Sequence, residues 1–210
     1  LLITSAGLLT FASAPDYEAK ASYTAIVTAS DGTDTTTQAI TVNVTNVNDN
    51  SPVFTSSATF SAAENQTSIG SVAATDADSG DSITFTVSGS ELAITSGGVL
   101  SFASAPDYET KASYTATVTA SDGTDTTTQA ITVNVTNVND NSPVFTSSAT
   151  FSVAENQTSI GTVTATDADS GDSVTFTVSG SELSMTSAGV LTFASAPDYE
   201  TKPTYTATVT

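Results

Sequence analysis

Cysteine, histidine, arginine and tryptophan are absent from this 210-residue sequence, and lysine occurs only as Lys20, Lys111 and Lys202. Each absence removes a class of chemistry. Without cysteine there are no disulfide staples and no thiolate metal sites; without histidine the usual zinc ligand and the commonest general base are gone. Soft-metal chemistry is therefore not expected. The 22 acidic residues leave a formal net charge of -19, which excludes nucleic acid as a partner, because binding a polyanion needs cationic neutralisation. The balance suits cation binding. No run approaches the roughly eighteen apolar residues of a membrane-crossing helix, and no basic segment opens the chain. Neither a membrane span nor a signal peptide is expected within these residues, and export would be encoded outside them.

What the sequence does contain is a repeat. An offset of 91 aligns Asp16 with Asp107 and Asp198, Asp49 with Asp140 and Glu64 with Glu155, without gaps. Residues 52–119 differ from 143–210 at ten positions, among them Ala62 against Val153, Ile83 against Val174 and Ile94 against Met185. Most are small apolar or hydroxyl exchanges that an existing core tolerates. The expected organisation is one complete unit, 52–142, between the C-terminal part of a preceding unit, 1–51, and the N-terminal part of a following one, 143–210. The chain reads as a window on a longer tandem array.

Within a unit the hydrophobic period is two. Ile83, Phe85 and Val87 share one face of "ITFTV", as do Tyr114, Ala116 and Val118 of "YTATV" and Ile131, Val133 and Val135 of "AITVNV". Threonine fills most alternate positions, as a solvated strand face allows. The turn signals "SGDS", "SGSE", "SGG" and "SDGTD" separate the strands, and no segment carries a helical stripe. About seven strands per unit predict an antiparallel Greek-key β-sandwich of the immunoglobulin-like type, with units placed end to end. Phe54, Phe60, Phe85, Phe102 and Tyr114 are expected in the core.

The acids of the complete unit are gathered in short motifs: "AEN" around Glu64, "DAD" with Asp76 and Asp78, "PDYE" with Asp107 and Glu109, and "NVNDN" with Asp140. Carboxylates two residues apart can be brought to one side of an extended or looping backbone. At 4 Å and an effective dielectric constant near 20, two of them repel by roughly 4 kcal/mol. A hard divalent cation relieves that repulsion, and Ca²⁺ accepts six to eight oxygens in irregular geometry.

Taken together and in this order, the motifs resemble those of a cadherin repeat: Glu64 in "AEN", Asp76 and Asp78 in "TDADSG", Asp107 and Glu109 in "APDYE", Asp122 in "TASDG", and Asn137, Asn139, Asp140 and Asn141 in "TNVNDNSPVF". The resemblance spans the whole unit. It implies about three Ca²⁺ at each boundary between consecutive repeats, held by oxygens from both. Carried over, the second boundary would use Glu64, Asp107, Glu109, Asn137, Asn139, Asp140 and Asn141 with Asp167 and Asp169. The first would use Asp16, Glu18, Asn46, Asn48, Asp49 and Asn50 with Asp76, Asp78 and Asp122. Asp31, Glu155, Asp198 and Glu200 occupy the same motif positions in the outer units. Where the family's linker begins with Asp, this chain has Asn46 and Asn137, which removes one carboxylate per boundary. Seven of the ten acids in 52–142 are at ligand positions on this reading; Asp81, Glu91 and Asp125 are not.

The implied function is that of a calcium-dependent extracellular extender or filament component, stiffened where repeats meet. The alternative is that the repeats themselves bind like copies or glycans. The missing tryptophan removes the anchor of the strand exchange used by animal classical cadherins. Near-identical units rich in Thr, Ser and Asp also resemble the repetitive surface proteins of bacteria. Two other readings fail. Gly80 stands at loop position five and Val87 at the bidentate position, so "DADSGD" does not open an EF-hand. Paired acids could serve a glycosidase, but acids that recur in every unit with no nucleophile–base pair suit an ion better than an enzyme.

Overall fold

The computed structural model describes residues 1–210, all of them in strands, turns or extended connections and none in a helix. The chain forms two compact units: residues 1–106 with 113–135, and residues 107–112 with 136–210.

In the first unit, the opening segment contributes β1 (Leu2–Ile3), β2 (Leu9–Thr10), β3 (Ser22–Ser30) and β4 (Thr35–Asn43). Strand β1 pairs with β2, and β3 runs antiparallel to β4 from Ser22↔Asn43 to Ser30↔Thr35. The complete repeat follows with β5 (Val53–Phe54), β6 (Thr59–Ala63), β7 (Ser68–Ser71), β8 (Ala74–Thr75), β9 (Thr84–Val87), β10 (Leu92–Ile94), β11 (Val99–Phe102), β12 (Ser113–Ser121) and β13 (Thr126–Thr136). Strands β5 and β6 are two parts of one interrupted strand, and β7 and β8 are two parts of another, which leaves seven strands in all.

One sheet has the order β6-β13-β12-β9 and the other β10-β11-β7, while β5 pairs with β8 at the rim. The first interrupted strand thus changes partners between its two halves, which ties the two layers of the sandwich together. The period of two places the core between them. Phe85, Val118, Ala120, Ile131 and Val133 are buried from one sheet, and Leu92, Leu100 and Phe102 from the other. Each fully buried side chain of this kind contributes about 1.5–3 kcal/mol. Phe102 meets Tyr114 edge-on at 5.1 Å and Phe54 lies 6.3 Å from Phe85.

Between β10 and β11 the chain must turn tightly under this core. Gly98 does so at φ 87°, donating to Thr95 O at 2.9 Å and accepting from Val72 N at 2.8 Å. A Cβ at this position would lie 2.3 Å from the Val72 carbonyl oxygen and 3.3 Å from the Phe85 ring, so only glycine fits.

The second unit adds β14 (Val144–Phe145), β15 (Ser159–Thr162), β16 (Ala165–Thr166), β17 (Leu183–Met185) and β18 (Val190–Phe193). Strand β14 pairs with β16, and β15-β18-β17 repeats the three-stranded sheet of the complete repeat. Val163, Phe176 and Leu191 form its core. An open groove of about 720 Å³ is lined by apolar residues such as Phe151, Ile160, Leu191 and Val209 together with polar ones such as Glu155, Lys202 and Thr204.

Candidate metal centre

The acidic motifs build their own local geometry before they meet one another. In "DAD", the Asp78 N–H donates to Asp76 Oδ1 at 2.9 Å, and Asp169 repeats this with Asp167 at 3.0 Å. This side-chain-to-backbone turn is what aspartate two positions upstream favours. "PDYE" winds into a single turn: Lys20, Lys111 and Lys202 each donate their N–H to the carbonyl of the motif aspartate, Asp16, Asp107 and Asp198, at 2.9 Å. The aspartate also caps that turn. Asp16 Oδ1 accepts from Ala19 N at 3.1 Å, Asp107 Oδ1 from Thr110 N at 3.0 Å and Asp198 Oδ1 from Glu200 N at 3.1 Å. In the β12–β13 turn, Asp122 Oδ1 accepts from Thr124 N and Asp125 N at 2.7 Å each, and Asp31 does the same for Thr33 N and Asp34 N at 2.9 and 2.8 Å.

In the first unit the linker then closes on the "DAD" loop. Asp78, only 5% exposed, accepts Asp49 N at 3.0 Å and Asn50 N at 2.8 Å on Oδ2, and Asn50 Nδ2 at 3.1 Å on Oδ1. Asn46 Nδ2 donates to Ser79 O at 3.2 Å. Carboxylate oxygens of Glu18, Asp49 and Asp78 lie within 4.8 Å of one another, and so do those of Asp76, Asp78 and Asp81. The second unit repeats the arrangement. Asp169, 4% exposed, accepts Asp140 N at 3.1 Å, Asn141 N at 2.8 Å and Asn141 Nδ2 at 3.0 Å. Asn137 Nδ2 donates to Ser170 O at 3.2 Å, and Glu109, Asp140 and Asp169 gather within 4.8 Å. Glu155, Asp198 and Glu200 form a further group, with Glu155 Oε2 accepting Tyr199 N at 2.9 Å.

The electrostatics follow from this wiring. Desolvation pushes the Asp78 carboxyl up, but hydrogen bonds from Asn50 and Asp49 outweigh it and hold the group below the usual aspartate range. For Asp169 the Asn141 side chain is the leading cause of the same depression, for Asp122 the Thr124 N–H, for Asp31 the Asp34 N–H and for Asp198 the Thr201 hydroxyl. Glu18 moves the other way, raised by desolvation with the negative charges of Asp78, Asp16 and Asp49 adding to it.

Seven side-chain oxygens of this chain are shut off from water without a hydrogen-bond partner: Asn46 Oδ1, Asn48 Oδ1, Asp76 Oδ2, Asp81 Oδ2, Asp122 Oδ2, Asn137 Oδ1 and Gln129 Oε1. All but Gln129 belong to the linkers and the loops around them. A buried oxygen without a donor is costly. A set made only of carboxylate and amide oxygens suits a hard cation of irregular coordination.

Most residues singled out from the motifs come together within these clusters. Glu64 is buried at 3% exposure just beyond β6, and Asn139 donates through Nδ2 to Asp172 Oδ2 at 2.7 Å. Asp81 was not among the sequence-derived ligands, yet its carboxylate joins Asp76 and Asp78. The one signal for it was a third acid, five residues after the first, across a glycine.

No family profile matches the chain. Among curated proteins it is 36% identical over 184 residues to the mouse cadherin EGF LAG seven-pass G-type receptor 1, covering 79% of this chain, and 33% identical over 231 positions to mouse protocadherin-15, covering all of it. Among solved structures it superposes on the protocadherin gammaB4 extracellular domain with a TM-score of 0.76, at 26% identity, over 99% of this chain and 38% of that one. Mouse cadherin-23 EC22-24 gives 0.70 at 26% identity, over 94% and 71% of the two chains. This chain is built of cadherin repeats. The β-sandwich is the cadherin repeat fold, and the repeats belong to the extracellular, cell-surface part of a protein. The chain spans 6% and 12% of the length of the two curated relatives.

Proposed function

We propose that this chain is a calcium-binding spacer, a run of cadherin repeats (1–51, 52–142 and 143–210) stiffened by about three Ca²⁺ at each boundary, in a long surface adhesin or filament. The observation that carries the reading is the set of water-excluded, partnerless oxygens at the linkers. Asn46, Asn48, Asp49, Asn50, Asp76, Asp78 and Asp122, with Asp16 and Glu18, would hold the ions of the first boundary; Glu64, Asp107, Glu109, Asn137, Asn139, Asp140, Asn141, Asp167 and Asp169 those of the second. Bound Ca²⁺ would supply positive charge shared by oxygens of two repeats. Without it, carboxylates gathered within 4.8 Å repel, and the linker is a hinge. Acids that recur at the same repeat positions argue for a structural ion over a catalytic centre. The bacterial surface is the setting we propose on composition alone, from the near-absence of basic residues.

Small-angle scattering and limited proteolysis in millimolar CaCl₂ and then in EDTA test the reading. The expected result is a shorter, more broadly distributed particle and linker cleavage near Asn46–Asn50 after chelation. Unchanged dimensions and protection would overturn it. Adhesion by the repeats themselves is the second reading, favoured by the likeness to the protocadherin gammaB7 EC3-6 cis-dimer structure at 26% identity and a TM-score of 0.72. Sedimentation in millimolar Ca²⁺ decides between them: a strictly monomeric chain supports the spacer, and lateral or head-to-tail pairing supports adhesion.

A further inference from the structure

We propose that Asn46 and Asn137 are latches that hold the start of each linker in place when no ion is bound, and that the same two amides set the calcium affinity of their boundaries. The affinity half rests on the calcium reading above; the latch half stands on geometry alone. Asn46 Nδ2 donates to Ser79 O at 3.2 Å, and Asn137 Nδ2 donates to Ser170 O at the same distance. Both carbonyls belong to a "DADSG" loop, in which Gly80 at φ 100° and Gly171 at φ 99° turn the chain directly after the serine. Three further bonds in each unit tie down the far end of the linker: Asp49 N, Asn50 N and Asn50 Nδ2 reach Asp78, and Asp140 N, Asn141 N and Asn141 Nδ2 reach Asp169. The amide therefore pins the near end of a segment whose far end is already bound.

The two ends of this side chain have opposed effects. Nδ2 makes the latch, while Oδ1 is shut off from water without a partner in both units, which leaves one neutral oxygen for a cation. A carboxylate in the same place would turn an acceptor toward the serine carbonyl, and the latch would be lost. It would also add a negative charge to a linker facing a loop that already gathers Asp76, Asp78 and Asp81. That charge repels its neighbours when the ion is absent and attracts the ion when it is present. An amide thus favours order without calcium, at the expense of affinity for it. The latch is a single bond, so chelation still loosens the boundary; what the bond limits is how often the start of the linker is released.

Hydrogen exchange read by mass spectrometry in EDTA, and calorimetric titration with CaCl₂, both on the 210-residue chain, test this. The two linkers share the sequence "TNVNDNS", so the substitutions are made in both at once: Asn46→Asp with Asn137→Asp, and separately Asn46→Ala with Asn137→Ala. Both pairs lose the donor, and the amides of 45–50 and 136–141 should exchange about two- to tenfold faster in EDTA, the range that one net hydrogen bond gives. Calcium should separate them. The Asp pair is expected to bind more tightly, on the order of tenfold, through its added carboxylates, and the Ala pair more weakly than the parent. An Asp pair that exchanges like the parent in EDTA overturns the latch. So does an Asp pair that exchanges faster while the Ala pair does not, since charge repulsion alone would then be at work. An Asp pair that binds calcium no more tightly than the parent overturns the affinity half. If the parent takes up no Ca²⁺, the calcium reading and the affinity half fall together, while the exchange rates still decide the latch. Far-UV circular dichroism in EDTA is the folding control; should either pair fail to fold, Asn137→Asp alone, whose linker peptide then differs in sequence from that of the first boundary, repeats both readings with the same expected and overturning results.

Discussion

Removing the ion should cost the first unit a calculable share of its stability. Glu18, Asp49 and Asp78 form one carboxylate group and Asp76, Asp78 and Asp81 another; on the calcium reading these two groups would hold two of the boundary's about three ions, with Asp78 in common. A ligand bound only by the folded state stabilises it by RT ln(1 + [L]/Kd). For a Kd of about 10⁻⁴ to 10⁻³ M, usual for extracellular modules, 10 mM Ca²⁺ contributes about 1.4 to 2.7 kcal/mol per ion. Two ions therefore add about 3–5 kcal/mol, against a total of about 5–15 kcal/mol for an ordinary domain. The assay is urea denaturation followed by circular dichroism and tyrosine fluorescence, in 10 mM CaCl₂ and in EDTA at matched ionic strength. With a urea slope of about 1–3 kcal/mol/M, the midpoint should rise by roughly 1–5 M with calcium. Coincident midpoints would refute the reasoning. So would MgCl₂ producing the whole gain, because Mg²⁺ demands near-octahedral geometry and sheds water reluctantly, and an equal effect would mean simple screening of carboxylates.

Three further outcomes are expected. Gly98→Ala should destabilise the first unit by about 2–4 kcal/mol, combining a left-handed residue with a Cβ driven against the Val72 carbonyl; Gly123→Ala, at φ 101° with nothing within 4 Å, should cost only the backbone part, about 1–2 kcal/mol. In EDTA, Asp78→Asn should lower the urea midpoint because Oδ2 accepts two linker N–H groups, whereas Asp76→Asn, which keeps Oδ1 for Asp78 N, should not; both should lose calcium binding. Calcium-free stability should fall with acid: Asp31 and Asp122 have folded values depressed by backbone N–H donors, so their contribution is present above the unfolded value of about 3.9 and is lost as pH drops through the folded values. Glu18 is raised, so its contribution has the opposite sign, present below the unfolded value and lost as pH rises through the folded one; Glu18→Gln should remove that component from a pH-resolved denaturation series.

The architecture was legible because it is written in local periods. Alternation in "YTATV" and "AITVNV" predicts strands with Val118, Ile131 and Val133 inward, and these are buried in β12 and β13. The motif order likewise predicts which loops carry acids. What local spacing does not contain is how separate loops approach one another. Nothing in "VFTSSATF" says that Phe54 belongs to a strand pairing with β8 and Phe60 to one beside β13, since that switch depends on both sheets being present. Asp81 was missed for the same reason: its inclusion depends on the direction that Gly80 gives the chain, and a spacing of five on a turning backbone has no fixed side. Asn65, at φ 62° after "AE", was also not foreseen; asparagine tolerates that region better than most residues.

A shared division of labour runs through the site and would suit it to take an ion. Asp76 commits Oδ1 to Asp78 N and leaves Oδ2 unpartnered; Asp122 commits Oδ1 to Thr124 N and Asp125 N and leaves Oδ2; Asn46 commits Nδ2 to Ser79 O and leaves Oδ1. In each, one polar atom fixes the side chain to the backbone of a short turn, and the other is held out of water with nothing to accept. Freely rotating carboxylates would have to be ordered when the cation arrives, and that entropy would subtract from affinity. Here the ordering is done by the fold through bonds of 2.7–3.2 Å. The linker asparagine belongs to this scheme, because only an amide can both donate to Ser79 and present an oxygen. Repeating the same words at Asn137 and Ser170 repeats the same solution, which is why near-identity of the repeats extends through the linker as well as the core.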